Sequence, residues 1–136
     1  MIVLDEQLKN AGVAEQIGRW YHGSVVNITA LRLSTVIKDD AIPLLLRQIS
    51  DPTFVTINTT DFWGRIAAEQ HYCITCFPLP DERIDEISGL LRQLFRFTEF
   101  KTKPARRGKV ALVSHTQVHY YQLHSHKVYS LTWPTK

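Results

Sequence analysis

The chain has 136 residues, 44% of them hydrophobic and 21% charged, with a formal net charge of +3, which bounds it to one globular domain with a single core and excludes a disordered chain. Sixteen Lys plus Arg against thirteen Asp plus Glu favour contact with phosphates without requiring a nucleic-acid partner. The longest apolar runs, such as "AIPLLL" from 41 to 46, fall well short of the roughly 18 residues of a membrane span, and "MIVLDEQL" carries charge by its fifth residue, unlike a secretory leader. No membrane contact and a cytoplasmic location are therefore the expectation.

In chain order, "MIVL" is a short apolar run ending at Asp5 and Glu6, the pattern of a buried parallel strand that breaks out at a polar pair. Leu8, Ala11, Val13, Ala14, Ile17 and Trp20 recur at helical spacing, and Gly23 supplies a stop. "SVVNI", residues 24–28, predicts a second strand and "TALRLSTVIKDD" a loop. Asp39 or Asp40 can then cap a helix over "AIPLLLRQI", with Pro43 tolerated in its first turn. "TFVTIN", residues 53–58, is the strongest strand signal, β-branched and aromatic. This βαβαβ order predicts an α/β fold: a mostly parallel sheet flanked by helices.

"HYCITCFPLP" predicts a further strand closed by Pro78 and Pro80, in which Cys73 and Cys76, three apart, face opposite ways as reduced thiols. "DERIDEISGLLRQLFRF" predicts one helix, with acids in its first turn and a stripe of Ile84, Ile87, Leu90, Leu91, Leu94 and Phe95. "KTKPARRGK" reads as an exposed basic connector, and its Lys101, Lys103, Arg106, Arg107 and Lys109 are the sequence's candidates for nucleic-acid phosphate contact. A strand and a C-terminal antiparallel hairpin with a turn at "HSHK" complete the chain. One domain over 1–136 is expected, its core over about 1–100 and the hairpin extension over about 108–134.

In an open parallel sheet, ligands collect at the carboxyl ends of the strands. Asp5 and Glu6 end the first strand, Asp61 follows the third, and Asp39 and Asp40 stand at the helix start between them. Carboxylates so placed can meet in one cleft, a donor set that suits Mg²⁺ or Mn²⁺ and phosphodiester hydrolysis. Each also has an ordinary use, as an N-cap, a turn former or a first-turn acid. No nucleotide-binding glycine motif and no G-x-S-x-G elbow is present.

"MIVLDEQL", "LSTVIKDDAI" and "FVTINTTDF" resemble, in order and spacing, the compact PIN-like nucleases of predicted toxin–antitoxin systems, which open on L-D-E-N-L, carry a D-x-x-I helix start and show a V-T-x-D-x-D-F strand end. The likeness covers about the first 65 residues and, more loosely, the strand and helix that follow. It implies a PIN-like sheet and a metal-dependent ribonuclease, with Asp5, Asp39 and Asp61 catalytic and holding Mg²⁺ or Mn²⁺, and Glu6 and Asp40 in support. Asn58 stands where the first strand-end aspartate is usual and would be a neutral metal ligand; Gln7 stands in place of Asn. The implied partners are an RNA substrate and a cognate antitoxin protein, with a homodimer as a further expectation. The alternative is a catalytically inactive PIN-like scaffold that binds a protein or RNA, for which the missing aspartate speaks. A receiver-like phosphoacceptor fits less well, because no lysine at a later strand end is identifiable.

His115, His119, His124 and His126 crowd the C-terminal region. On strands, His115 with His119, or His124 with His126, could share a face and hold zinc or copper. Stacking on RNA by Tyr120, Tyr121 and the imidazoles is another reading of the hairpin, and pairing with a partner chain a third.

Overall fold

The computed structural model describes residues 1–9, 11–31 and 41–134. One seven-stranded sheet runs in the order β2-β1-β3-β4-β5-β6-β7, with β1 at Ile2–Leu4, β2 at Val25–Asn27, β3 at Thr53–Thr56, β4 at Cys73–Cys76, β5 at Lys109–Val113, β6 at Gln117–Gln122 and β7 at Tyr129–Thr132. β1 to β5 pair in parallel, and β5, β6 and β7 pair antiparallel. The α/β class and the C-terminal hairpin extension are therefore as the sequence implies.

The sheet separates two cores. Ile2, Leu4, Val55, Cys73, Ala111 and Val113 pack on one face with α1 (Val13–Gly18) and α5 (Ile87–Leu94). Val3, Phe54, Ile74, Cys76 and Val110 pack on the other with residues of α2 (Ile28–Leu31), α3 (Ile42–Leu46) and α4 (Thr59–Phe62). Coverage of both faces is what turns the central strands into continuous apolar runs and not alternating ones. The alternation of side chains sends Cys73 and Cys76 into opposite cores. Both are free thiols, and burial pushes each up to about 12, so neither is poised for redox or metal chemistry.

Three helical expectations are corrected. The helix expected over 8–20 is a 3-10 turn at Glu6–Leu8 followed by α1, only six residues long, whose N-cap Gly12 takes φ 74° and whose end falls at Gly18, before Gly23. The helix expected over 81–97 is broken: Asp81–Glu86 is 3-10, Arg83 departs from helical geometry, and α5 begins at Ile87. Pro80, in extended geometry, starts that turn. Residues 29–31, expected in a loop, belong to α2. The N-cap of α3 is Ala41, with Pro43 in its first turn; the expectations for Asp39 and Asp40 lie outside the described residues.

The basic connector is corrected as well. Thr102 caps a short helix, α6 (Lys103–Arg106), by accepting from the Ala105 N–H. Arg106 is buried, donates from Nη1 to the Phe100 carbonyl at 2.9 Å, and lies 4.1 Å from the Phe95 ring centroid. Lys109 turns inward too, donating to the Glu99 carbonyl at 3.0 Å and to that of Ala105. Lys101, Lys103 and Arg107 alone of the five remain exposed, and Arg107 pairs with Asp51 at 3.4 Å. The buried Arg106 and the half-buried Lys109 are thus committed to carbonyls and aromatic faces.

Helix α5 anchors one core through Ile87, Leu91 and Leu94, each fully buried, and Trp20 reaches it with an indole N–H donated to Ser88 Oγ at 2.9 Å. Leu91→Ala is expected to lower unfolding free energy by about 2–5 kcal/mol, the range for a buried leucine truncated in a packed core. Arg92→Ala, on the exposed side of the same turn, is expected to change it by less than about 0.5 kcal/mol. Urea denaturation of the two variants checks the pair.

Candidate functional site

β1 lies between β2 and β3, so the connection leaving β1 runs one way, to β2, and the connection leaving β3 runs the other way, to β4, which opens a crevice at the carboxyl ends of β1 and β3. Asp5 stands there. Its backbone N–H continues the ladder by donating to the Val55 carbonyl at 2.9 Å, and its side chain is pulled into the sheet end, 4% exposed. Oδ1 accepts from the Glu6 N–H at 2.8 Å and Oδ2 from the Thr56 hydroxyl at 2.7 Å. Thr56 Oγ1 in turn accepts from the Asn58 N–H at 2.9 Å. A chain of hydrogen bonds thus ties the turn after β3 to the carboxylate after β1.

From the other side, Asn27 at the end of β2 donates its amide to the Asp5 carbonyl at 3.0 Å, while its own oxygen accepts from the Thr29 N–H and hydroxyl. Burial raises the Asp5 pKa above its ordinary value; the Thr56 and Glu6 donors offset part of that cost, and the Glu6 charge adds to it. Among the described residues no cation is paired with Asp5.

Asp61 sits in the first turn of α4, whose N-cap is Asn58. The two side chains are reciprocal: Asn58 Oδ1 accepts from the Asp61 N–H at 3.3 Å, and Asn58 Nδ2 donates to Asp61 Oδ2 at 2.8 Å. Asp61 is therefore part of a turn cap, in the segment that follows β3 at the carboxyl end of the sheet. Glu6 is exposed and contributes its backbone N–H to Asp5.

The carboxylates suit a hard cation, which takes oxygen ligands, and the buried Asp5, with no cationic partner among the described residues, is the group whose charge such a cation would offset. The set is incomplete: among the described residues no three His, Cys, Asp or Glu side chains group together as a metal site, and Asp39 and Asp40 lie outside those residues. Asn58 has its amide oxygen on the helix cap.

A groove of about 770 Å³ adjoins the crevice, lined by Gln7, Ile57, Asn58, Leu79, Asp81 and Ile84. Its walls come from the segments that follow β1, β3 and β4. The basic segment does not reach it. Lys101, Lys103 and Arg107 precede β5, so in a parallel sheet they lie at the opposite end from Asp5, beside Asp51, which precedes β3.

The histidine expectations also change. His115 follows β5 and meets Glu86 at 2.5 Å, with Arg83 on the same carboxylate and 3.3 Å from His115 Nε2. Arg83 first, then His115, holds the Glu86 carboxyl well below the usual range, at about 2. Tyr120 packs between Phe100 and Tyr129, and Tyr121 donates its hydroxyl to the Ile66 carbonyl and packs on Trp63; neither is a bare stacking platform. Sequence reading missed Thr56, Asn27 and the Arg83–Glu86–His115 cluster. The signal for Thr56 was a hydroxyl at the last buried position of β3, and for Arg83 with Glu86 their spacing of three.

No known protein family, curated protein or solved structure matches the chain.

Between its ordinary value of 3.8 and its raised value in the fold, Asp5 keeps a proton that the unfolded chain has released. The unfolded state then binds fewer protons, so this group's contribution to stability falls as pH rises through that window. Asp5→Asn is expected to raise the melting temperature at neutral pH in metal-free buffer, with the gain shrinking as pH falls toward 3.8. Thermal melts of both proteins across pH check it; a variant less stable than wild type at neutral pH would contradict it.

Proposed function

We propose that this chain is a metal-dependent ribonuclease of PIN-like type, acting on RNA at the crevice between β1 and β3 and held in check by a cognate antitoxin protein. The observation that supports this reading is Asp5: a buried carboxylate with no cationic partner among the described residues, fixed by Thr56 at the switch point of a parallel sheet. Asp5 and Asp61 would hold Mg²⁺ or Mn²⁺, which when bound supplies an activated water and charge for the phosphate oxygens.

The chain's own residues position the rest. Thr56 fixes the rotamer of Asp5, Asn58 fixes the turn that presents Asp61, and the apolar walls of Ile57, Leu79 and Ile84 give one side of an RNA nucleotide a dry surface, with Gln7 and Asp81 as polar contacts. One observation favours the second reading, an inactive scaffold that binds RNA or protein. Asn58 stands where a charged ligand is usual and is engaged in a cap, so the crevice carries less negative charge than the chemistry asks for.

Calorimetric titration of Mn²⁺ into wild type, Asp5→Asn and Thr56→Val, with RNA cleavage on the same samples, separates the two. The nuclease reading expects Asp5→Asn to lose both binding and cleavage, and Thr56→Val to weaken metal binding by about 10- to 100-fold, as removal of a group that orients a ligand does. No Mn²⁺ binding by the wild type at millimolar metal sinks it. RNA retained without metal binding would leave the scaffold.

A further inference from the structure

The last strand, β7, ends the sheet: its inner side pairs with β6, and no described strand pairs with its outer side. Exposed edges of natural sheets are blunted by charges, proline or bulges within the strand, because unpaired backbone groups are a template for another strand. Here "VYSLTW", residues 128–133, holds neither charge nor proline, and Lys127 and Pro134 only bracket it. Val128, at its start, is 60% exposed. The opposite edge, β2, has only three residues.

We propose that the β7 edge docks a second copy of this chain, two β7 strands pairing antiparallel about a two-fold axis at Leu131 and joining two seven-stranded sheets into one. In that register residue 129 faces 133 and residue 130 faces 132. Tyr129 then meets the second copy's Trp133 on the core face, an aromatic cross-strand pair, and Ser130 meets Thr132 on the other, a hydroxyl pair. The arrangement is isologous, with each copy giving and receiving the same contacts, and no charge opposes a like charge. Centring the pair on Ser130 instead would set Lys127 against Trp133.

Two side chains of the edge are also held before pairing. Tyr129 stacks on Tyr120 at 5.2 Å with an interplanar angle of 18°, and its hydroxyl lies 3.0 Å from Ser125 Oγ. Trp133 stacks on Phe97 at 5.3 Å and donates Nε1–H to the Ser114 carbonyl at 2.7 Å. Side chains already held lose little freedom on association. A strand of a different protein could add to the same edge, but the pattern 129–133 is complementary to itself, which is the argument for a second copy. This inference is independent of the nuclease reading.

Sedimentation equilibrium of the full chain is expected to give twice the 15.7 kDa chain mass in the micromolar range. The double variant Ser130→Lys/Thr132→Lys, at two exposed positions, is expected to run at the single-chain mass with an unchanged far-UV circular dichroism spectrum. If that variant fails to fold, hydrogen exchange of the wild type decides, since amide exchange in β7 should slow as protein concentration rises. A wild type that stays at single-chain mass overturns the proposal. So does a dimer whose β7 amides gain no protection with concentration, because it would use another face.

Discussion

The hydrogen bond from the Thr56 hydroxyl to Asp5 Oδ2 is the constraint on which the strand-end crevice depends. A carboxylate drawn into the end of a sheet loses hydration that no cation among the described residues replaces, so its position is held by donors: one hydroxyl and one peptide N–H. Because Thr56 also accepts from the Asn58 N–H, the same atom fixes the start of α4 and with it the presentation of Asp61. Asn27 adds β2 to the assembly through the Asp5 carbonyl. Three strand ends are thereby set against one another by side chains, just where the backbone ladders stop.

The polarity of a parallel sheet then sorts the charges. Segments that follow strands go to one end and segments that precede them to the other, so Asp5, Asn58 and Asp61 share an end, while Lys101, Lys103 and Arg107 share the opposite one with Asp51. A basic excess counted over the whole chain says nothing about this. Of the five cations that looked available for phosphate, Arg106 is sealed under Phe95 and Lys109 is committed to carbonyls. Arg83, which follows β4 toward that end, is already on Glu86.

What was legible in the sequence follows the strength of the local pattern. "TFVTIN" declared β3 because β-branched and aromatic residues had one use, and C-x-x-C on a strand declared two thiols on opposite faces by alternation alone. The helices were less legible where a stripe of apolar residues crossed a break: Ile84 and Ile87 continue one stripe, yet Pro80 and the bend at Arg83 make the first turns 3-10. The basic segment misled because charge was taken for exposure, whereas an arginine's stem and flat guanidinium pack on an aromatic ring. Of the site, the positions of Asp5 and Asp61 beyond strand ends could be read. The partners that hold them could not, since Thr56, Asn27 and Asp5 meet only when three strands are in register.

Position 58 shows stability and charge pulling in opposite directions. Asn and Asp are comparable N-caps, so the backbone turn does not distinguish them; the distinction is what the side chain offers Asp61. An aspartate would set two carboxylates at the start of one helical turn, where a cation or a shared proton would have to reconcile them. Asparagine replaces that repulsion with the Nδ2 donation to Asp61 Oδ2. Asp61 is thus engaged in the cap of its own helix, whereas Asp5 is buried and costly to keep ionised. The weight of the site falls on the buried carboxylate and not on the exposed one.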